Sequence, residues 1–454
     1  MTDISAARPG VSALAVDTYR AIWRWHFYAG LIAVPFLILL AVTGSLYLFR
    51  DEIDDTVFAY RNVVEAEATA PLAPSVLVAN AIAAVPGASL KVFRDPGGPT
   101  ASARVTLETK EGPTYAFVDP YSGKVLGTVA KSDEFNEVVR KLHSLEYVGS
   151  YANRVIEAMA GFAIILVVSG LYLWWPRRQS GGVVTIRGTP KKRVFWRDTH
   201  AVTGAFAGIL IAFLALSGLP WSFFWGGTLT KIATATGTGY PAALWDNVPV
   251  SGEHADHAMD HTSWTMEASP MPMSSMMPMD PITLDRAVEI ARGLGIAPRF
   301  EVTAPADASG VYTAAVFPDD LAAVRTIHLD QFSGAPLVDV GYADYGSLSK
   351  LTELGINIHM GQEFGLANQL LMLATCLAII LSSVAAVMMW LKRRPSGRLG
   401  VPPNPASRGV YGALWAMAVV FGILLPLSGL LILAMLAVDL LLIRNVPALQ
   451  RVFS

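Results

Sequence analysis

Four histidines stand in two matched settings, and their spacing to glycine is the chain's first chemical signal. His26 is followed by Gly30 and Gly44, and His200 by Gly204 and Gly218, so the glycines fall at +4 and +18 both times. At 3.6 residues per turn these offsets are close to one turn and to five, which puts each imidazole and its glycines on one helix face. His143 precedes Gly149 and Asn153, and His359 precedes Gly365 and Asn368, each ahead of an apolar run. An imidazole beside positions without side chains can admit a large, flat group against the backbone. Haem has that shape, and imidazole is a common axial ligand for it. Neutral imidazole is also far less costly near lipid than a carboxylate or an ammonium. The plainer reading is that small residues one turn apart pack membrane helices closely and that an edge histidine is an interfacial polar group. Four histidines in two matched positions favour the ligand reading.

The elements that must position these histidines are membrane helices. The 454 residues are 53% hydrophobic and 15% charged, with mean hydropathy +0.44, too apolar for an ordinary soluble enzyme. Runs long enough to cross a bilayer lie at 27–49, 153–175, 201–225 and 367–391. A further block, 408–443, is interrupted at Leu425-Pro-Leu-Ser-Gly429 and is expected to form a hairpin, giving about six spans. The first run lacks a small-residue cleavage site and is read as a retained span after a cytoplasmic tail of 1–25. The connections 177–196 and 392–407 are strongly basic, which places them and the N-terminus in the cytoplasm. The long connections then face the periplasm of a Gram-negative cell.

Each long connection holds an α+β pattern. In 51–142 a helix over 75–85 precedes strands at 89–93, 103–108 and 114–118, the turn Asp119-Pro-Tyr-Ser-Gly123 and a fourth strand. In 281–358 a helix over 284–294 precedes strands at 300–303, 312–317 and 325–329, the turn Asp330-Gln-Phe-Ser-Gly334 and another strand. The chain therefore repeats one unit twice: histidine, span, module, histidine, span, basic loop. Trp175-Pro-Arg-Arg178 and Trp390-Leu-Lys-Arg-Arg394 close the two copies. The fold class is an α-helical polytopic membrane bundle with a two-fold internal repeat and two small periplasmic α+β modules. In such a repeat His26 and His200 share the cytoplasmic edge and His143 and His359 the periplasmic edge. Two haems result, one per pair.

The segment from Leu142-His-Ser-Leu-Glu-Tyr-Val-Gly to Trp175-Pro-Arg-Arg178, and Trp196-Arg197 with His200 and Gly204, resemble the PepSY-associated transmembrane helix family. The modules ending in Asp119–Gly123 and Asp330–Gly334 resemble PepSY domains. The resemblance spans about 20–440. It implies an inner-membrane protein of iron uptake, with His26, His143, His200 and His359 as ligands of two b-type haems and a ferric siderophore as the periplasmic substrate. The second copy departs from the first, with Met360-Gly-Gln-Glu-Phe364 in place of Ser144-Leu-Glu-Tyr-Val148 and a spacing one residue shorter.

The connection 226–280 carries His254, His257 and His261, then Met259, Met266, Met271, Met273, Met276, Met277 and Met279. Thioether and imidazole suit copper, against which stands a loop of merely biased composition. Other signals are weak. Gly237-Thr-Gly239 lacks the strand and helix of a dinucleotide site, Cys376 reads as a packing residue, and His328 as a satisfied strand residue. Asp439 stands in the last apolar block, functional or near an end. Arg140, Lys141 and Arg154 are candidates to pair with haem propionates or an anionic chelate. No flavin or dinucleotide unit is evident, so a quinol or a cytoplasmic reductase must donate electrons to a ferric siderophore or another periplasmic chelate. The partners are otherwise the lipid bilayer, and no nucleic acid. Rival readings are a membrane-anchored PepSY protein that binds or inhibits a partner without redox activity, and a copper-handling or Cu(II)-reducing protein.

Overall fold

The computed structural model describes residues 13–149, 151–176, 181–239, 250–254, 270–272, 280–307, 310–402, 408–443 and 445–453. In chain order the helices are α1 (Ala13–Tyr47), α2 (Arg50–Thr56), α3 (Ala59–Asn62), α4 (Pro74–Ala84), α5 (Phe135–His143), α6 (Ala152–Trp174), α7 (Arg193–Ser217), α8 (Phe223–Ala235), α9 (Leu284–Gly293), α10 (Ser347–His359), α11 (Gly365–Leu391), α12 (Arg408–Leu424), α13 (Pro426–Ala437) and α14 (Pro447–Phe453). The strands are β1 (Ser89–Arg94), β2 (Ala103–Glu108), β3 (Thr114–Val118), β4 (Val125–Ala130), β5 (Val250–His254), β6 (Pro270–Pro272), β7 (Glu301–Thr303), β8 (Val311–Val316), β9 (Arg325–Asp330) and β10 (Pro336–Gly341). Two compact units result: Met1–Ser45 with Lys141–Gly226 and Leu371–Ser454, and Leu46–Arg140 with Gly227–Leu370.

The first unit is helical. Among the described residues five helical segments are long and apolar enough to cross a membrane: Ala15–Tyr47, Ala152–Trp174, Arg193–Trp221, Gly365–Leu391 and Pro426–Ile443. Large side chains such as Phe206 and Ile209 on α7 and Ile423 on α12 are exposed, as lipid-facing residues must be. Helix α1 begins well ahead of the expected boundary at residue 26, because nothing between Ala13 and Trp25 breaks a helix. Helix α7 ends at Ser217, capped by Gly218, and a 3₁₀ turn through Pro220 leads into α8. The expected span 201–225 is thus present but ends near Trp221, and α8 begins in its last residues and runs on into residues expected to be loop. Proline removes the N–H that would continue the ladder.

The chain enters α12 beyond Val401 and comes back beside its starting point. Leu399 N donates to Val452 O at 2.7 Å, and Val401 N to Phe453 O at 3.3 Å. The block 408–443 is therefore a hairpin that turns at Leu425, with a 17-residue first arm. Its second arm packs on α1 and α6 through Leu427, Leu431, Ile432 and Met435 against Ala29, Ala33, Met159 and Phe162. Asp439 lies in a π-helical turn, Val438–Ile443, and is almost wholly buried. It accepts from Arg24 Nη2 at 2.6 Å and Tyr28 Oη at 3.1 Å. Asp439 thus ties the end of the hairpin's second arm to the segment bearing His26.

The two basic loops are closed in the same way. Trp174 Nε1 donates to Val183 O at 2.8 Å, and Trp390 Nε1 to Leu399 O at 2.7 Å, nine residues on in both cases. The residue matching Trp390 is therefore Trp174, not Trp175 as the Trp-Pro-Arg-Arg pattern suggests.

The second unit contains both α+β modules, with strands close to their expected limits. They are not separate bodies. All eight strands form one antiparallel sheet in the order β10-β9-β8-β7-β1-β2-β3-β4. The join is β1 to β7, with Val92 opposite Thr303, Phe93 opposite Val302 and Arg94 opposite Glu301. Joining the two edges satisfies backbone groups that each module would otherwise leave unpaired. Helices α4 and α9 cover one face over a common core that includes Leu77, Ala81, Phe93, Leu107, Val288, Ala291, Val302 and Ile327. Ser75, at the start of α4, donates from N and Oγ to the Asp285 carboxylate of α9 at 2.7 and 2.6 Å. The two turns match: Asp119 accepts from Tyr121 N and Asp330 from Phe332 N, while Gly123 and Gly334 take φ of 69° and 73°, a region open to glycine.

Candidate functional site

The His26 and His200 rings lie close together within the helical unit. Their ring centroids lie 6.1 Å apart at an interplanar angle of 73°. Two imidazoles on opposite sides of one metal ion, each nitrogen about 2 Å from it and each ring centre about 1.1 Å further back, stand about 6.3 Å apart. The observed spacing therefore fits a shared metal ion.

The hydrogen bonds fix which nitrogen is free to ligate. His26 Nδ1 is 2.8 Å from Ser169 Oγ, whose own proton is committed to Ile165 O at 2.6 Å. Nδ1 must then be the donor, which leaves the lone pair on Nε2. His200 Nδ1 is 2.9 Å from Ser382 O, a group that only accepts, and 2.9 Å from Ser382 Oγ. The same tautomer follows. His143, at the end of α5, lies against α1: its Nδ1 is 2.9 Å from Thr43 Oγ1, which donates to Leu39 O at 2.7 Å. All three histidines donate through Nδ1 and present Nε2, the arrangement by which a protein orients a ligating imidazole and raises its basicity.

The glycines add to this picture. A methyl built on Gly30 would meet only Leu166 Cδ2, at 3.9 Å, and one on Gly204 only Ser382 Oγ, at 3.9 Å. Among the described residues no neighbouring helix needs these positions to be small, so close packing against them does not account for the two glycines. Gly161 is different: a Cβ there would lie 2.9 Å from Ser428 Cβ on the hairpin. Gly44 lies beside the outer histidine, its Cβ position 3.5 Å from His143 Cε1. Since Gly44 is 18 residues from His26, the two histidine settings lie about 27 Å apart along α1, close to the thickness of a bilayer's hydrocarbon core. Gly218 closes α7.

His359 ends α10, in the other unit. Of the Met/His-rich connection, His254 and Met271 fall on the paired strands β5 and β6, while His257, His261, Met259, Met266, Met273, Met276, Met277 and Met279 lie outside the described residues. No group of three or more His, Cys, Asp or Glu among the described residues is placed to hold a metal ion. Arg140 is engaged by Glu137 at 2.7 Å. Arg154 stacks between Tyr151 and Phe223, 4.7 and 4.1 Å from their centroids. His328 is fully buried with Nδ1 2.9 Å from Thr313 Oγ1, and Cys376 is a buried free thiol. Sequence reasoning missed Ser169, Ser382 and Thr43. The signal was present as hydroxyl residues inside apolar runs, Ser169 just before Gly170, where a Cβ would sit 3.3 Å from His26 Cε1.

Residues 23–393 match the PepSY-associated TM region. The chain belongs to that family. The match takes in α1 from Trp23 onward, both modules, and the helices that carry His200 and His359, and it stops ahead of the C-terminal hairpin. With its apolar helices, family membership makes the chain a multi-pass membrane protein. No curated protein matches it.

Proposed function

We propose that the chain is an inner-membrane di-haem b-type reductase that passes electrons across the membrane to a ferric siderophore and so releases Fe(II) in the periplasm. The observation that carries this reading is the His26–His200 pair: rings 6.1 Å apart, each Nδ1 held by a serine. In this reading the bundle has six spans in a two-fold repeat, with the N-terminus and basic loops cytoplasmic and the sheet periplasmic. His26 and His200 hold the inner haem, and His143 and His359 the outer one.

Bound haem would supply a one-electron Fe(III)/Fe(II) couple, which no side chain of this chain provides. The residues' part is to hold and tune it. Ser169, Ser382 and Thr43 fix the ring orientations and keep Nε2 unprotonated, while Gly30 and Gly204 let a flat group approach the helix backbone. The bilayer excludes water from the path between the two edges. The substrate iron is held by hard oxygen donors, and one electron converts it to Fe(II), for which those donors are weaker ligands. A quinol or a cytoplasmic reductase supplies that electron. Copper handling through the Met/His-rich connection is the second reading, favoured only by the composition of that stretch. A reduced-minus-oxidised spectrum of purified protein tests the proposal. A Soret band with a sharp α band is expected, and a colourless preparation from haem-replete cells would end it.

A further inference from the structure

The described residues of the two basic loops in the helical unit form one surface beside the His26–His200 pair. Lys392 Nζ donates to Lys191 O at 3.0 Å, which draws the loops of the two repeats together. Each is fixed from within by its tryptophan bond to a carbonyl nine residues on, and Trp196 Nε1 donates to Pro190 O at 2.8 Å. Lys191, Lys192, Arg193, Lys392, Arg394 and Arg398 are exposed. The one acid within residues 181–200 and 391–402, Asp198, is wholly buried and held by Arg187 at 2.8 Å and Arg197 at 2.5 Å. Among the described residues, the exposed charges of 181–200 and 391–402 are thus all positive. It also adjoins the proposed ligands. The Arg393 guanidinium lies 4.9 Å from the Trp23 ring centre and 5.4 Å from that of Phe27, the neighbour of His26, and Arg197 is three residues before His200.

We infer that this surface docks a small, acidic, soluble one-electron carrier protein, which is the electron donor. The inference rests on the haem reading above and narrows its choice of donor. A quinol headgroup is uncharged, so six exposed cations do nothing for it. Lipid headgroups ring the perimeter of a bundle, whereas the Lys392–Lys191 bond gathers these cations over one patch. A cluster of one sign steers an oppositely charged protein and raises its encounter rate. In each encounter the carrier is oxidised by one electron and this protein is reduced by one; no bond forms or breaks.

The test uses the full chain in phosphatidylcholine nanodiscs, with a plant-type [2Fe–2S] ferredoxin as the acidic probe. Binding of oxidised ferredoxin, which involves no turnover, and the rate of electron transfer from reduced ferredoxin are both measured. Each is expected to weaken by about 10-fold or more between about 20 and 200 mM salt. At low salt, K191E/K192E/R193E is expected to cause a similar loss without changing the visible spectrum. Indifference to both salt and charge reversal would overturn the inference. So would a variant that loses affinity only for phosphatidylserine vesicles, which would assign the patch to lipid. A coloured protein that ignores ferredoxin sinks the docking surface alone, while a colourless one that binds it in a salt-dependent way sinks the haem reading instead.

Discussion

Substituting glycines separates a group-binding face from a helix-packing one. Gly30→Ala and Gly204→Ala add a methyl whose nearest neighbour is 3.9 Å away, an ordinary contact. Helix propensity alone favours alanine over glycine by about 1 kcal/mol, so the haem-free protein should be as stable as the parent or slightly more so. If a porphyrin lies against these backbones, the same methyl overpacks it by about 1–3 kcal/mol, which is about 5- to 150-fold in haem affinity. Gly161→Ala should do the reverse. Its Cβ would come within 2.9 Å of Ser428 Cβ and displace the bond from Ser428 Oγ to Ala158 O, lowering stability by about 1–3 kcal/mol with little change in haem uptake. The assay pairs thermal unfolding of haem-free protein in detergent with haem titration followed at the Soret band. Loss of stability in all three variants, or haem uptake unchanged in the first two, would show that Gly30 and Gly204 serve helix packing.

Further outcomes follow from single contacts. Ser169→Ala removes the acceptor 2.8 Å from His26 Nδ1 and should weaken haem binding about 10- to 100-fold. Ser382→Ala leaves the backbone carbonyl 2.9 Å from His200 Nδ1, so haem titration should show a smaller loss. Asp439→Ala strands the buried Arg24 and should lower stability by about 3–5 kcal/mol in denaturant unfolding, with much of the loss recovered when Arg24→Leu is added. Burial first, then the neighbouring Glu134 charge, raises the Asp54 pKa to about 6, with Arg61 and Arg104 offsetting in part. Because the folded value exceeds the unfolded one, the stability due to Asp54 is full below about pH 4 and is lost as pH rises through about 6. Amide exchange across Arg50–Asn62 should therefore quicken over that range, by about 1–2 kcal/mol after allowance for solvent screening. Asp54→Asn should flatten the profile.

Local pattern made much of this architecture readable. Alternating apolar residues marked β2 and β3 at their observed limits, and the Asp-x-x-Ser-Gly turns announced the second copy of the module. The +4 and +18 spacing identified the face of α1 that carries both His26 and Gly44. What stayed hidden depends on contacts between distant segments. The join of β1 to β7 pairs strands some 200 residues apart, and either edge reads equally well as a solvated one. Arg24 and Asp439 are 415 residues apart, so nothing near Asp439 shows that it is neutralised. Ser169 and Ser382 look like ordinary small residues of apolar spans until the facing helix supplies an imidazole. The break after Gly218 was written in Pro220 but masked by the apolar residues around it.

The most direct test of the account is the haem-to-protein ratio measured for the parent, His26→Ala, His200→Ala and the double variant. The account predicts two haems in the parent and one in each of the three variants, since both residues serve a single site. Two haems retained in either single variant, or a further loss in the double, would contradict it.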